Sequence, residues 1–246
     1  MATIVGAEDD VATLQSSTTI SGVSSNPPPS APINKAVSIE PLFSSGIYRC
    51  AATEFLPEIK LVFKDAIAEI KKHFPLITKS VYPVLQSANI YDDPRIAKFT
   101  EFIGQTAWGI LNNQGYNMDA YHMFFNDMWC QEHHKYSGHD THTHPNSAIT
   151  GFYIIEVPEN SCRIVFKDPR SAKYHSNLME RDISQASMAS NEINYGPAAG
   201  DCFFTNSWLP HSFTRNGNMK PFKMIHFDLG VKWADGPLPT QTQTRQ

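Results

Sequence analysis

The stretch His142-Thr143-His144-Pro145-Asn146-Ser147-Ala148-Ile149-Thr150-Gly151-Phe152-Tyr153 sets two metal-binding side chains directly ahead of an apolar run of β-forming residues. Residues two apart on an extended segment point the same way, so His142 and His144 can meet one metal ion. Working outward, the whole chain beyond Gly115 has this texture: short runs of Val, Ile, Phe, Tyr and Trp broken by Pro, Gly, Asn and Asp. Such a pattern predicts an antiparallel β domain with strands over Tyr121–Cys130, Ala148–Val157, Cys162–Phe166, Asp201–Thr205 and Phe222–Leu229. Between these runs, Ser171 to Asn194 has little periodicity and reads as a long loop with one helical turn, of the kind that carries specificity.

Ahead of the β region the period changes. Ile59, Val62, Phe63, Ala66, Ile67 and Ile70 recur at helical steps between Pro57 and Phe74, with Lys60, Lys64, Glu69, Lys71 and Lys72 on the other face. A second helix is expected from about Asp93 to Asn113, striped by Ile96, Phe99, Phe102, Ile103 and Ala107 and stopped by Asn112-Asn113-Gln114-Gly115. Val37-Ser38-Ile39-Glu40-Pro41-Leu42-Phe43 alternates like an edge strand. Two helices followed by many short strands give an α+β fold with the helices packed on one sheet.

The 246 residues, 41% hydrophobic, can supply the core of one large domain, here placed at 37–234. Residues 1–36 are a low-complexity arm rich in Ser, Thr and Pro, including Asn26-Pro27-Pro28-Pro29-Ser30-Ala31-Pro32, and 235–246 form a polar tail. The arm buries too little apolar surface to order itself in isolation. A formal charge of -4 without a basic patch carries no nucleic-acid signature, and no stretch is long and apolar enough to span a membrane. Cys50, Cys130, Cys162 and Cys202 are widely spaced, form no C-x-x-C pair and follow no secretory leader, which favours reduced thiols and a cytoplasmic setting.

A third histidine, His211, ends the run Gly200-Asp201-Cys202-Phe203-Phe204-Thr205-Asn206-Ser207-Trp208-Leu209-Pro210. A close histidine pair and a distal histidine, brought together by adjacent strands, suit a facial metal site whose opposite positions stay open. Such sites commonly use a carboxylate as one ligand. Here His144 takes that place, with Asp140 as the second choice, and the three-histidine set could hold iron, zinc or nickel. His133 and His134 read as solvated, His226 as either a neighbour of the metal or an interior histidine. Trp129, Trp208, Met123, Met128 and Met224 read as core.

The His142–Tyr153 stretch, with Val157-Pro158, Phe166-Lys167-Asp168-Pro169-Arg170, Gly200-Asp201 and Ser207-Trp208-Leu209-Pro210-His211-Ser212, resembles the 2-oxoglutarate/Fe(II) oxygenase family common in marine phages and bacteria. The resemblance implies a double-stranded β-helix, a jelly-roll or cupin-like barrel, with His142, His144 and His211 as ligands of Fe(II) and 2-oxoglutarate as cosubstrate. It also exposes a departure. That family, like the prolyl-hydroxylase-like oxygenases, opens its last barrel strand with Arg-x-Ser, which holds the far carboxylate of 2-oxoglutarate. With Phe227-Asp228 aligned to the family's Phe-Asn ending, the inward positions here are Phe222, Met224, His226 and Asp228. A desolvated carboxylate without a cationic partner is costly, so cosubstrate affinity should collapse unless another base reaches in. Lys220, Lys223 and Arg215 are the cationic candidates; Lys220 is best placed by spacing, and this register turns Lys223 away.

Two function classes follow. One is an Fe(II)/2-oxoglutarate-dependent dioxygenase hydroxylating an unknown substrate; the other is a non-catalytic phage virion protein, using the fold as a rigid module and the arm to reach virion or oligomeric partners. A cupin-like dioxygenase needing no keto acid is a third option. The corresponding settings are the host cytoplasm or the virion.

Overall fold

The computed structural model describes residues 43–74, 79, 83–175 and 178–234. The expected arm, nearly all of the edge strand begun at Val37 and the tail after Ala234 lie outside these residues. The strands are β1 (Ile47–Ala51), β2 (Val84–Asn89), β3 (Tyr121–His133), β4 (His139–His142), β5 (Ile149–Glu156), β6 (Ile164–Lys167), β7 (Glu192–Tyr195), β8 (Asp201–Asn206), β9 (His211–Phe213) and β10 (Phe222–Trp233). Two helices, α1 (Leu56–His73) and α2 (Ala97–Asn113), separate the first three strands.

Helix α1 starts with Pro57 in its first turn, where a missing N–H costs nothing, and buries Ile59, Val62, Phe63 and Ile67. Helix α2 begins later than its apolar stripe suggested. Asp93 caps a short 3-10 turn, accepting from the Arg95 amide, and the α-helix takes over at Ala97. Its end is as expected: Gly115 sits at φ +93°, the Tyr116 amide donates to Leu111 O and the Gly115 amide to Asn112 O. That pair of bonds satisfies carbonyls the helix leaves open, and the left-handed φ explains the glycine.

All strand pairs are antiparallel. A six-stranded sheet runs β1-β8-β5-β10-β3-β2 and a four-stranded sheet runs β4-β9-β6-β7. Strand alternation divides the core in two. Ile149, Tyr153, Cys202, Phe204, Ile225 and Phe227 join α1 and α2 in an outer core. Phe152, Ile154, Phe203, Phe222 and Met224 face inward, against Ile164, Phe166 and Phe213 of the smaller sheet. Gly151 lies where the chains crowd: a Cβ there would stand 2.3 Å from the Phe203 carbonyl oxygen and 2.3 Å from the Phe227 ring.

Three expectations need correction. The region from Ser171 to Asn194 ends in a strand, because Glu192–Tyr195 pairs with β6 to form the edge of the smaller sheet. Trp208, read as core, is 47% exposed in the β8–β9 turn. His133, read as solvated, is fully buried, since β3 runs past Cys130 and carries it to the inner face beside Phe213 and Phe222.

Candidate metal centre

The two strands of the smaller sheet that carry the histidines are neighbours, with His142 directly opposite His211. His144 lies just beyond β4, held by its amide donating to Ser207 O at 2.9 Å. The turn from His144 into β5 is clamped as well: Asn146 adopts φ +63°, Asn126 Nδ2 donates to Asn146 O at 2.9 Å, and Ser207 Oγ donates to Ser147 O. From the opposite sheet, β10 adds His226, two residues before Asp228 on the same inward face.

His142, His144, His211 and His226 offer ligand atoms that all lie within 4.8 Å of one another. The rings of His142 and His211 are 4.6 Å apart, those of His142 and His144 4.9 Å, and those of His144 and His226 4.7 Å. For three of the four, the second ring nitrogen has an acceptor. His142 Nδ1 meets Asp140 O at 2.7 Å, His211 Nδ1 meets Leu209 O at 3.0 Å, and His144 Nδ1 meets Asp228 Oδ2 at 2.8 Å. Each acceptor fixes the Nδ1–H tautomer and leaves Nε2 as a lone-pair donor. Those three Nε2 atoms are buried and have no hydrogen-bond partner among the described residues.

Burial favours the neutral form of His142, His211 and His226, the form that binds metal. Desolvation lowers the His211 pKa to about 3, His226 falls well below its ordinary value for the same reason, and His142 is lowered too, again mainly by burial. Around them the walls are aromatic: Phe152 lies 5.1 Å from His211 and 4.9 Å from His226, and Trp129 stacks on His226 at 4.2 Å. The donor chemistry, convergence and orphaned nitrogens fit a transition metal preferring imidazole.

The three sequence-derived ligands are therefore together, and His226 joins them. Asp140 contributes its backbone carbonyl to His142, while its side chain is in an exposed residue on β4. Phe222, Met224, His226 and Asp228 all face inward, as the register implied. The proposed cationic residues are elsewhere. Lys223 faces the helices, with Nζ 2.6 Å from Glu156 Oε2, while Lys220 and Arg215 are exposed in the β9–β10 loop. Sequence reasoning missed Asp228 as the partner of His144, and Gln131 and His133 as inward residues. Alternation from Trp129 along β3 is the signal that marks the latter two.

Residues 127–228 match the family model described as "Putative 2OG-Fe(II) oxygenase", so the resemblance seen in the sequence holds across β3 to β10. Fe(II) and 2-oxoglutarate are the metal and cosubstrate that this description names. Among solved structures, AviO1 from Streptomyces viridochromogenes Tue57 is 13% identical, with 76% of this chain and 90% of that chain covered and a TM-score of 0.51. SnoK, a non-heme alpha ketoglutarate dependent carbocyclase from nogalamycin biosynthesis, is 12% identical over 79% of this chain and 84% of its own, at a TM-score of 0.51. EvdMO1 is 11% identical over 76% of this chain and 47% of its own, at 0.52. At such identities the likeness concerns the fold, a double-stranded β-helix of two antiparallel sheets with helices packed on the larger one. No curated protein matches the sequence significantly. No helix among the described residues is long and apolar enough to cross a membrane.

Proposed function

We propose that the chain is an Fe(II)/2-oxoglutarate-dependent dioxygenase that hydroxylates a substrate reached through the open side of the histidine cluster. The observation that carries this reading is the convergence of the His142, His144 and His211 Nε2 atoms, each on a ring whose Nδ1 is already held by an acceptor. In this reading these three residues hold the iron. Bound together, Fe(II) and 2-oxoglutarate supply the power to activate dioxygen for hydroxylation. The chain supplies placement: the carbonyls of Asp140 and Leu209 and the carboxylate of Asp228 aim the rings, and Phe152, Phe166 and Phe213 keep the inner face dry.

His226 favours a second reading. A fourth imidazole in the same cluster gives a four-histidine set suited to a closed zinc site, which leaves no adjacent open positions for a keto acid.

Anaerobic titration with Fe(II) and then 2-oxoglutarate separates the two readings. A saturable metal-to-ligand absorption band in the visible region, lost in His142→Ala and His211→Ala variants that remain folded, supports the oxygenase. Iron bound without the band, or stoichiometric metal retained in both variants, overturns it.

A further inference from the structure

We propose that Gln131 and His133 of β3 form the far end of the cosubstrate site, donating hydrogen bonds to the keto acid's carboxylate remote from the metal. The inference rests on the oxygenase reading and adds the residues that distinguish a dicarboxylic keto acid from a monocarboxylic one. It starts from alternation. Met128 and Cys130 join the outer core and Glu132 pairs with Lys71 of α1 at 2.7 Å, so Trp129, Gln131 and His133 occupy the opposite, inward face.

Gln131 and His133 are both fully buried. Neither Oε1 nor Nε2 of Gln131, and neither ring nitrogen of His133, has a hydrogen-bond partner among the described residues. Native proteins pair nearly all buried polar groups, and four orphaned atoms at neighbouring inward positions mark a place for a polar ligand. The position is continuous with the metal centre: the His133 ring lies 6.5 Å from that of His139, which lies 4.2 Å from that of His142. Phe213 and Phe222 close the other sides, at 5.8 and 6.1 Å from His133.

The register sets these residues beside the apolar opening of β10. His133 is the cross-strand partner of Phe222, and Gln131 that of Met224. By the alignment that the resemblance implies, Phe222 and Met224 take the inward β10 positions of the family's Arg-x-Ser, and neither can bind a carboxylate. On the same inner face, the polar groups stand one strand to the side. A primary amide and an imidazole each present N–H donors, and an anionic oxygen accepts such donors more strongly than a neutral one does.

The test uses the full chain loaded anaerobically with Fe(II). It is titrated with 2-oxoglutarate and, separately, with 2-oxopentanoate, which has the same chelating end and chain length but no second carboxylate. Binding is read from the absorption band and from thermal stabilisation. Gln131→Leu and His133→Phe are each expected to raise the Kd for 2-oxoglutarate by about tenfold or more while leaving that for 2-oxopentanoate within about twofold. Gln131→Glu preserves size and adds a like charge, and its expected loss is larger and equally confined to 2-oxoglutarate. Unchanged 2-oxoglutarate binding in these variants, or equal weakening of both keto acids, overturns the inference while the oxygenase reading stands. Failure of the wild-type chain to bind either keto acid overturns both.

Discussion

His144 and Asp228 form a carboxylate–imidazole couple, with Nδ1 2.8 Å from Oδ2, in which the acid fixes the ring that joins His142, His211 and His226 in one cluster. A ligand's outer partner commonly contributes 10–100-fold, as an order of magnitude, to metal affinity. Asp228→Ala should therefore weaken Fe(II) binding by about that factor, whereas Asp228→Asn, which keeps an acceptor oxygen, should stay near wild type. Competition against a calibrated chelator measures both. Equal affinities for all three proteins would mean that the couple does not orient His144.

The interior histidines link stability to acidity. Burial, with His139 and His134 nearby, lowers the His133 pKa to about 3, and burial lowers His139 to about 4. In an unfolded chain both titrate near 6.5. Below that pH the unfolded state binds more protons than the native state, so stability falls as pH drops, by up to about 1.4 kcal/mol per pH unit for each such group until its folded pKa is reached. Chemical denaturation of the metal-free protein between pH 7 and 4.5 should show this slope, and His133→Phe should reduce it. A slope unaltered by that substitution contradicts the assignment.

Gly151 is confined by the Phe203 carbonyl and the Phe227 ring. Forcing a methyl group into a packed interior costs about 1–3 kcal/mol, occasionally more. Gly151→Ala should lower the denaturant midpoint accordingly, and a shift below about 0.5 kcal/mol would show that β5 and β10 separate more easily than their packing suggests.

The four cysteines are free thiols and should differ sharply in reactivity. Cys50 lies across from Cys202 on neighbouring strands, and a hydrogen bond from that thiol lowers its pKa to about 7. Burial raises Cys130 and Cys162 to about 12 and Cys202 well above its ordinary value. Thiolate is the reactive form, so limited iodoacetamide at pH 7.5 should label Cys50 first, as read by peptide mass mapping. Earlier labelling of any other cysteine would refute that ranking.

The division between legible and hidden features follows the range of the physical cause. Helix α1, the Gly115 stop and the inward order Phe222-Met224-His226-Asp228 are local patterns of period and turn chemistry, and the sequence carries them openly. The convergence of His142, His144 and His211 was legible because two histidines share an extended segment and His211 closes a short loop. His133 was hidden because β3 extends past Cys130, and a polar pair His133-His134 looks solvated until the strand's face is known. Strand β7 has only four residues and owes its form to pairing with β6, which no local pattern in Ser171–Asn194 announces. Asp228 was placed correctly, but its partner lies 84 positions away in the chain, a separation at which periodicity says nothing.

The pairing of His142 with His211 places two of the clustered imidazoles in the four-stranded sheet, while Asp228 and His226 belong to the six-stranded one. An ion held by His142, His144 and His211 would connect to the larger sheet through the His144–Asp228 hydrogen bond, so its capture would tighten one polar contact between halves that otherwise meet through side-chain packing. Part of the free energy of metal capture becomes free energy of folding. On the oxygenase reading, iron supply would then govern how long the protein survives as well as whether it can react.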